Sequence, residues 1–88
     1  MSGCAIVPAY DAALSVADVV RSLVRLWPEP RAVIVVDDGS RDDTARLAEE
    51  AGAIVLRHGE NRGKGAALRT AFWFAHDQGF QTAVTVDA

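Results

Sequence analysis

Two adjacent carboxylates, Asp37 and Asp38, close an apolar run and open the turn Asp37-Asp38-Gly39-Ser40. Acids at the end of an all-apolar strand require donors, because a buried charge without a partner is costly. One carboxylate can accept the imide N–H of uracil, or the N1–H and amino group of guanine. The other can face ribose hydroxyls or cap the following helix. Taken alone, these four residues serve a plain turn and cap equally well. A second group, Asn61-Arg62-Gly63-Lys64-Gly65, sets two cations and two glycines just before a helix start. Free N–H groups and the helix dipole favour an anion there, and a diphosphate suits the spacing. It is not a Walker A loop, since Ala66 and Ala67 stand where Lys and Ser/Thr are required. A solvated basic turn is the alternative. Asp87, after the last apolar run, can reach ribose or a hydrated divalent ion bridging two phosphates. Tyr10, in Pro8-Ala9-Tyr10-Asp11, either presents its ring to a base or anchors its loop. His58 and His76 share no metal-ligand spacing with other candidates, so they are expected at surface or helix positions without a role.

These groups must be held by regular elements, and the pattern between them is regular. Cys4-Ala5-Ile6-Val7 reads as a buried strand closed by Pro8. Ser15 is placed to cap a helix in which Val16, Val19, Val20, Leu23 and Val24 form one face, ended by Pro28 and Pro30. Ala32 to Val36 is a second strand, buried on both faces. Ser40 is the expected N-cap of a second helix, with Asp43 completing a near capping box and Thr44, Leu47, Ala48 and Ala51 facing inward. Gly52 supplies a left-handed C-terminal cap before a third strand, Ala53 to Leu56. A third helix runs from Lys64 to Gln78, with Leu68, Ala71, Phe72 and Ala75 inward and Gly79 as its stop. Trp73 and Phe74 are expected in the core. Thr82 to Val86 is the fourth strand and delivers Asp87. Alternating strands and helices with short connections predict an α/β fold, a Rossmann-like parallel sheet, with ligands at the carboxyl ends of the strands.

The 88 residues allow one small domain, half apolar and 24% charged, which is a globular balance. A net charge of −3 without a Lys/Arg cluster argues against nucleic acid. Cys4 is the sole cysteine, expected as a small buried residue in a reducing compartment. No signal-peptide pattern or membrane-length apolar run occurs, so the segment is expected to be soluble and cytoplasmic.

In order, Ile6-Val7-Pro8-Ala9-Tyr10, Val35-Val36-Asp37-Asp38-Gly39-Ser40-Arg41-Asp42-Asp43-Thr44, Asn61 to Leu68 and Val84-Thr85-Val86-Asp87-Ala88 resemble family 2 glycosyltransferases of the GT-A fold. Within that family the chain is most similar to dolichyl-phosphate mannosyltransferases and polyprenyl-phosphate glycosyltransferases. The resemblance spans essentially the whole chain. It implies metal-dependent transfer of a sugar from a UDP- or GDP-sugar, usually with inversion, to a polyprenyl phosphate, saccharide or other acceptor. It also implies that Pro8, Tyr10 and Asp38, with Asp37 nearby, hold base and ribose and that Lys64 lies near the phosphates. Asp87 would open the Asp-x-Asp motif that binds Mg²⁺ or Mn²⁺. The full nucleotide-binding set is then Pro8, Ala9, Tyr10, Asp11, Asp37, Asp38, Gly39, Ser40, Arg62, Gly63, Lys64 and Asp87.

Two departures qualify it. Asp11-Ala12 stands where the family usually has Asn-Glu, and Ala88 precedes the second aspartate of the metal motif. The expectation is therefore that residues 1–88 form an incomplete, N-terminal nucleotide-sugar-binding part of the domain, truncated after the fourth strand and inactive alone. Catalytic residues, and any membrane association of the full-length enzyme at the cytoplasmic face, are expected beyond Ala88. The fourth strand should then expose an unpaired apolar edge. A receiver-like phosphoacceptor domain is the competing reading of Asp37, Asp38 and Asp87. It is disfavoured because a complete strand and helix precede the paired acids. A dinucleotide oxidoreductase is disfavoured by the absence of a Gly-x-Gly turn after the first strand.

Overall fold

Side chains of the two central strands divide by parity, which builds a core on each face of one sheet. Ala5, Val7, Ala9, Val33 and Val35 pack with Val16, Val20, Leu23 and Ala48 on one side. Cys4, Ile6, Ile34 and Val36 pack with Ala67, Ala71 and Ala75 on the other. A computed structural model describes residues 2–29 and 31–88; Pro30, assigned above to ending the first helix, lies outside them. Its elements run β1 (Gly3–Ala9), α1 (Val16–Leu26), β2 (Val33–Asp37), α2 (Thr44–Ala51), β3 (Ile54–Arg57), α3 (Lys64–Asp77) and β4 (Thr82–Thr85). All strand pairs are parallel, in the order β3-β2-β1-β4. The expected α/β architecture is thus present.

The order explains where a ligand can enter. From β1 the chain steps outward to β2 and β3 through α1 and α2, then returns across the opposite face in α3 to set β4 on the other side of β1. The switch in direction falls between β1 and β4, where open sheets leave a crevice. Pro8 widens it. Contrary to expectation β1 does not stop at Pro8 but continues to Ala9, with Pro8 opposite Val36. Ala5 N donates to Ala32 O and Ala9 O accepts from Asp38 N, so the alternate residues Ile6 and Pro8 turn their backbone toward β4. Val86 N donates to Ile6 O at 2.9 Å, and the next rung would need a hydrogen on the Pro8 nitrogen. The β1–β4 ladder ends there, leaving the carboxyl ends of both strands unjoined.

Several local expectations change. Ser15 occupies the N-cap position of α1 without a side-chain capping bond. Helix α2 starts at Thr44 after Asp43, not at Ser40, whose hydroxyl is used by another loop; Thr44 N bonds instead to Asp42 Oδ1 at 3.0 Å. Phe72 is 47% exposed and Ala67 takes the buried place on α3. The stripe Ala67-Ala71-Ala75 at i, i+4, i+8 brings the helix backbone close to the sheet, and a phenylalanine has no room at that spacing. Trp73, expected in the core, is 71% exposed, while Phe74 packs partly against the second cluster. All four residues of β4 are exposed at the sheet edge, as anticipated, and Gly52 adopts the left-handed cap (φ 114°).

Candidate functional site

Four chain segments converge at the β1/β4 crevice. Pro8, Ala9 and Tyr10 from the end of β1, Asp38 after β2, Asn61, Gly63, Lys64 and Ala67 around the start of α3, and Asp87 and Ala88 after β4 line a cleft of about 280 Å³. That is near the lower bound of small-molecule sites. Of the residues expected to bind nucleotide, Pro8, Ala9, Tyr10, Asp38, Gly63, Lys64 and Asp87 line it. Asp11, Asp37, Gly39, Ser40 and Arg62 do not. Asn61, Ala67 and Ala88 are additions.

The residues outside the cleft shape it. Asp37 Oδ1 accepts the Ser40 amide at 3.0 Å, the turn-capping alternative raised by its sequence. Ser40 Oγ accepts the Asp11 amide at 2.8 Å and Asp11 Oδ1 accepts the Arg41 amide at 2.8 Å, so the loops after β1 and β2 are hooked together. Ala12 N donates to Thr44 Oγ1 and Ala13 N to Asp42 Oδ2. The polar run Asp37 to Thr44 thus serves largely to suspend the loop that presents Tyr10, whose hydroxyl also receives Arg41 Nη2 at 3.5 Å. Asp11 sits at φ 48°, a left-handed conformation that aspartate tolerates better than most side chains.

Asp38 is only 4% exposed and is the hub of the site. Its Oδ1 accepts His58 Nδ1 at 2.8 Å and the Arg62 amide at 2.9 Å, and its Oδ2 accepts the Gly63 amide at 2.8 Å. Two of the loop amides assigned by sequence to an external anion therefore bind an internal one. Burial pushes the Asp38 carboxyl up, but hydrogen bonds from His58, Arg62 and Gly63 and the nearby His58 charge outweigh it, and the net direction is below the ordinary carboxylate value of 3.8. A folded value below the unfolded one gives stability that is complete above the unfolded pKa and is lost as pH falls through the folded one. Urea midpoints should hold from pH 7 to 5 and fall below about pH 4. The Asp38 carboxyl carbon, followed by NMR, should titrate below 3.8; titration above that value would contradict the hydrogen-bond pattern.

His58 is the main correction to the sequence reading. Instead of a surface residue without a role, it is buried after β3, with Nδ1 on Asp38 and Nε2 at 2.8 Å from Thr70 Oγ1 of α3. Its main-chain N–H also donates to Asp37 O at 2.9 Å. His76 is exposed on α3, as expected.

At the mouth of the cleft Lys64 Nζ lies 2.8 Å from Asp87 Oδ1, both side chains well exposed. Asp87 offers a hard oxygen donor suited to Mg²⁺ or Mn²⁺. No three ligating side chains cluster among the described residues. A divalent ion held here needs its other oxygens from a ligand such as a diphosphate, a common arrangement for Mg²⁺.

An open parallel sheet with this cleft at its switch point makes an α/β domain of the GT-A type, the fold of its solved neighbours. Residues 4–88 match the model of glycosyl transferase family 2, and the chain belongs to that family of enzymes. It is 30% identical to the UDP-N-acetylglucosamine–dolichyl-phosphate N-acetylglucosaminyltransferase of Methanococcus voltae, with 94% of this chain and 39% of that protein covered. Glucosyl-3-phosphoglycerate synthase of Mycobacterium tuberculosis, solved with Mn²⁺, UDP and its product, superposes with a TM-score of 0.79 at 26% identity, over 98% of this chain and 33% of that one. A mannosyltransferase of Pyrobaculum calidifontis, solved with GDP-mannose and Mn²⁺, gives 0.61 at 32% identity, over 83% and 24%. The chain spans between 22% and 39% of the length of the curated relatives it matches. No helix among the described residues is long and apolar enough to cross a membrane.

Proposed function

We propose that residues 1–88 form the nucleotide-sugar-binding part of a glycosyltransferase domain. In it Pro8, Ala9, Tyr10 and Asp38 surround base and ribose, Lys64 meets the diphosphate and Asp87 holds a divalent ion with it. The observation that carries this reading is the convergence of Tyr10, Asp38, Lys64 and Asp87, from four separate segments, on one cleft at the β1/β4 switch point. The relatives solved with UDP or GDP-mannose support a UDP- or GDP-sugar as donor. The dolichyl-phosphate relative supports a polyprenyl phosphate as acceptor in the whole protein, which would act at the cytoplasmic face of a membrane. Transfer proceeds with inversion. Bound Mg²⁺ or Mn²⁺ supplies Lewis-acid stabilisation of the departing diphosphate. Lys64 contributes a second positive charge to the same leaving group. Asp38 is held by three internal donors and keeps one acceptor direction on Oδ2, so it orients the base and takes no proton. The 88 residues bind nucleotide without transferring sugar, because the cleft's remaining charged groups, Lys64 and Asp87, are both committed to the diphosphate end.

Titration of the chain with UDP, GDP and their nucleosides in Mg²⁺ tests this. Lys64→Ala should weaken diphosphate binding about tenfold, the loss of one charge-assisted contact, and leave nucleoside binding unchanged. Equal losses for both would remove Lys64 from the phosphate site, and turnover of a nucleotide sugar by the chain would refute binding without transfer.

A further inference from the structure

We infer that His58 is a positioning residue that sets the base preference of the cleft: by holding Asp38 Oδ1 it leaves the carboxylate one acceptor for the base, which matches the single imide N–H of uracil and not the paired donors of guanine. The inference rests on the nucleotide reading above and deepens it.

A carboxylate offers roughly four lone-pair directions. In Asp38 both directions of Oδ1 are taken, by His58 Nδ1 and the Arg62 amide, and one of Oδ2 by the Gly63 amide. Guanine pairs with a carboxylate through N1–H and the amino group, one donor to each oxygen. With Oδ1 filled, that bidentate geometry would require one internal bond to break. Uracil brings one imide donor, and the free direction on Oδ2 satisfies it without loss.

The imidazole is fixed for this task at both nitrogens. Asp38, being ionised, can only accept, so Nδ1 carries the hydrogen, and Nε2 pairs with the Thr70 hydroxyl. The side chain is 5% exposed, so water does not compete for either bond. Thr70 lies on α3, the helix that starts with Lys64. One ring therefore ties the base-side carboxylate to the helix that presents the phosphate-side lysine.

Two conservative substitutions separate the bonds. His58→Asn places an amide N–H where Nδ1 was and gives up Thr70. His58→Gln reaches toward Thr70 and gives up Asp38. UDP and GDP titrations in Mg²⁺ should show the unaltered chain preferring UDP by at least about tenfold, the scale of discrimination from one bidentate base contact. His58→Asn should keep that preference within about threefold. His58→Gln should bind UDP about tenfold more weakly and lose the preference. GDP bound by the unaltered chain as tightly as UDP, or His58→Gln matching His58→Asn, would overturn the inference. If neither nucleotide binds, the nucleotide reading fails and the base preference falls with it. The positioning role is then decided by hydrogen exchange at the Arg62 and Gly63 amides. Exchange should be unchanged in His58→Asn and at least about tenfold faster in His58→Gln, since Asp38 is then no longer braced; equal rates in the two variants would end it.

Discussion

Gly39→Ala should lower the unfolding temperature by at least about 8 °C and weaken nucleotide binding with it. Gly39 sits at φ 75°, and a Cβ there would lie 2.5 Å from Asn61 N and 2.9 Å from Glu60 Cα. Both are backbone atoms, so no side-chain rotation relieves the contact. The left-handed conformation costs an alanine about 1 kcal/mol and forced overpacking about 1 to 3 more. At 4 to 8 °C per kcal/mol for a domain of this size, the sum of about 2 to 4 kcal/mol corresponds to about 8 to 32 °C. The damage is also directed. The loop pushed away is the one whose Arg62 and Gly63 amides hold Asp38, and the His58 amide that binds Asp37 O precedes it. Gly65→Ala is the control: its added Cβ meets nothing within 4 Å and it lies in a helix, so stability should hold or rise by about 0.5 kcal/mol. Equal behaviour of the two variants in thermal melts would show that the close approach at Gly39 does not constrain the loop.

This close approach also shows which parts of the site sequence could reveal. Strands β1 and β2 were legible because an unbroken apolar run has few other uses, and the acids that follow them stand out by contrast with it. Helix α1 was legible from its 3.6-residue period. His58 was not, because its role depends on Asp38, 20 positions earlier, and Thr70, 12 later, and neither spacing has a local signature. The inward face of α3 misled for a different reason. Pattern reading ranks Phe72 above Ala67 as core, whereas a helix crossing from one sheet edge to the other must lie close to the strands and favours small residues. Ser40 was legible as a capping type, but capping chemistry does not say whose amide is capped. Here several of the amides belong to the loop after β1, about 30 residues away.

Asp38→Asn should unfold at least about 12 °C below the unaltered chain and bind nucleotide at least about thirtyfold more weakly, whereas Asp37→Asn should stay within about 1 kcal/mol. The two acids are neighbours in sequence and both buried, yet their surroundings differ. Asp37 accepts one side-chain bond, from the Ser40 amide, and an asparagine oxygen can accept it equally. Asp38 accepts three, spread over both oxygens. An asparagine has one acceptor oxygen, and its NH₂ must then point at a donor, either the Gly63 amide or the pair formed by His58 Nδ1 and the Arg62 amide. Breaking a buried, charge-assisted arrangement in this way costs about 3 to 5 kcal/mol. Loss of affinity follows because this carboxylate, with the close approach at Gly39, braces the loop that leads into Lys64. Thermal melts and UDP titrations on the two variants give the comparison. Similar destabilisation in both would mean that the acidic pair works as a simple turn cap, the reading its sequence alone left open.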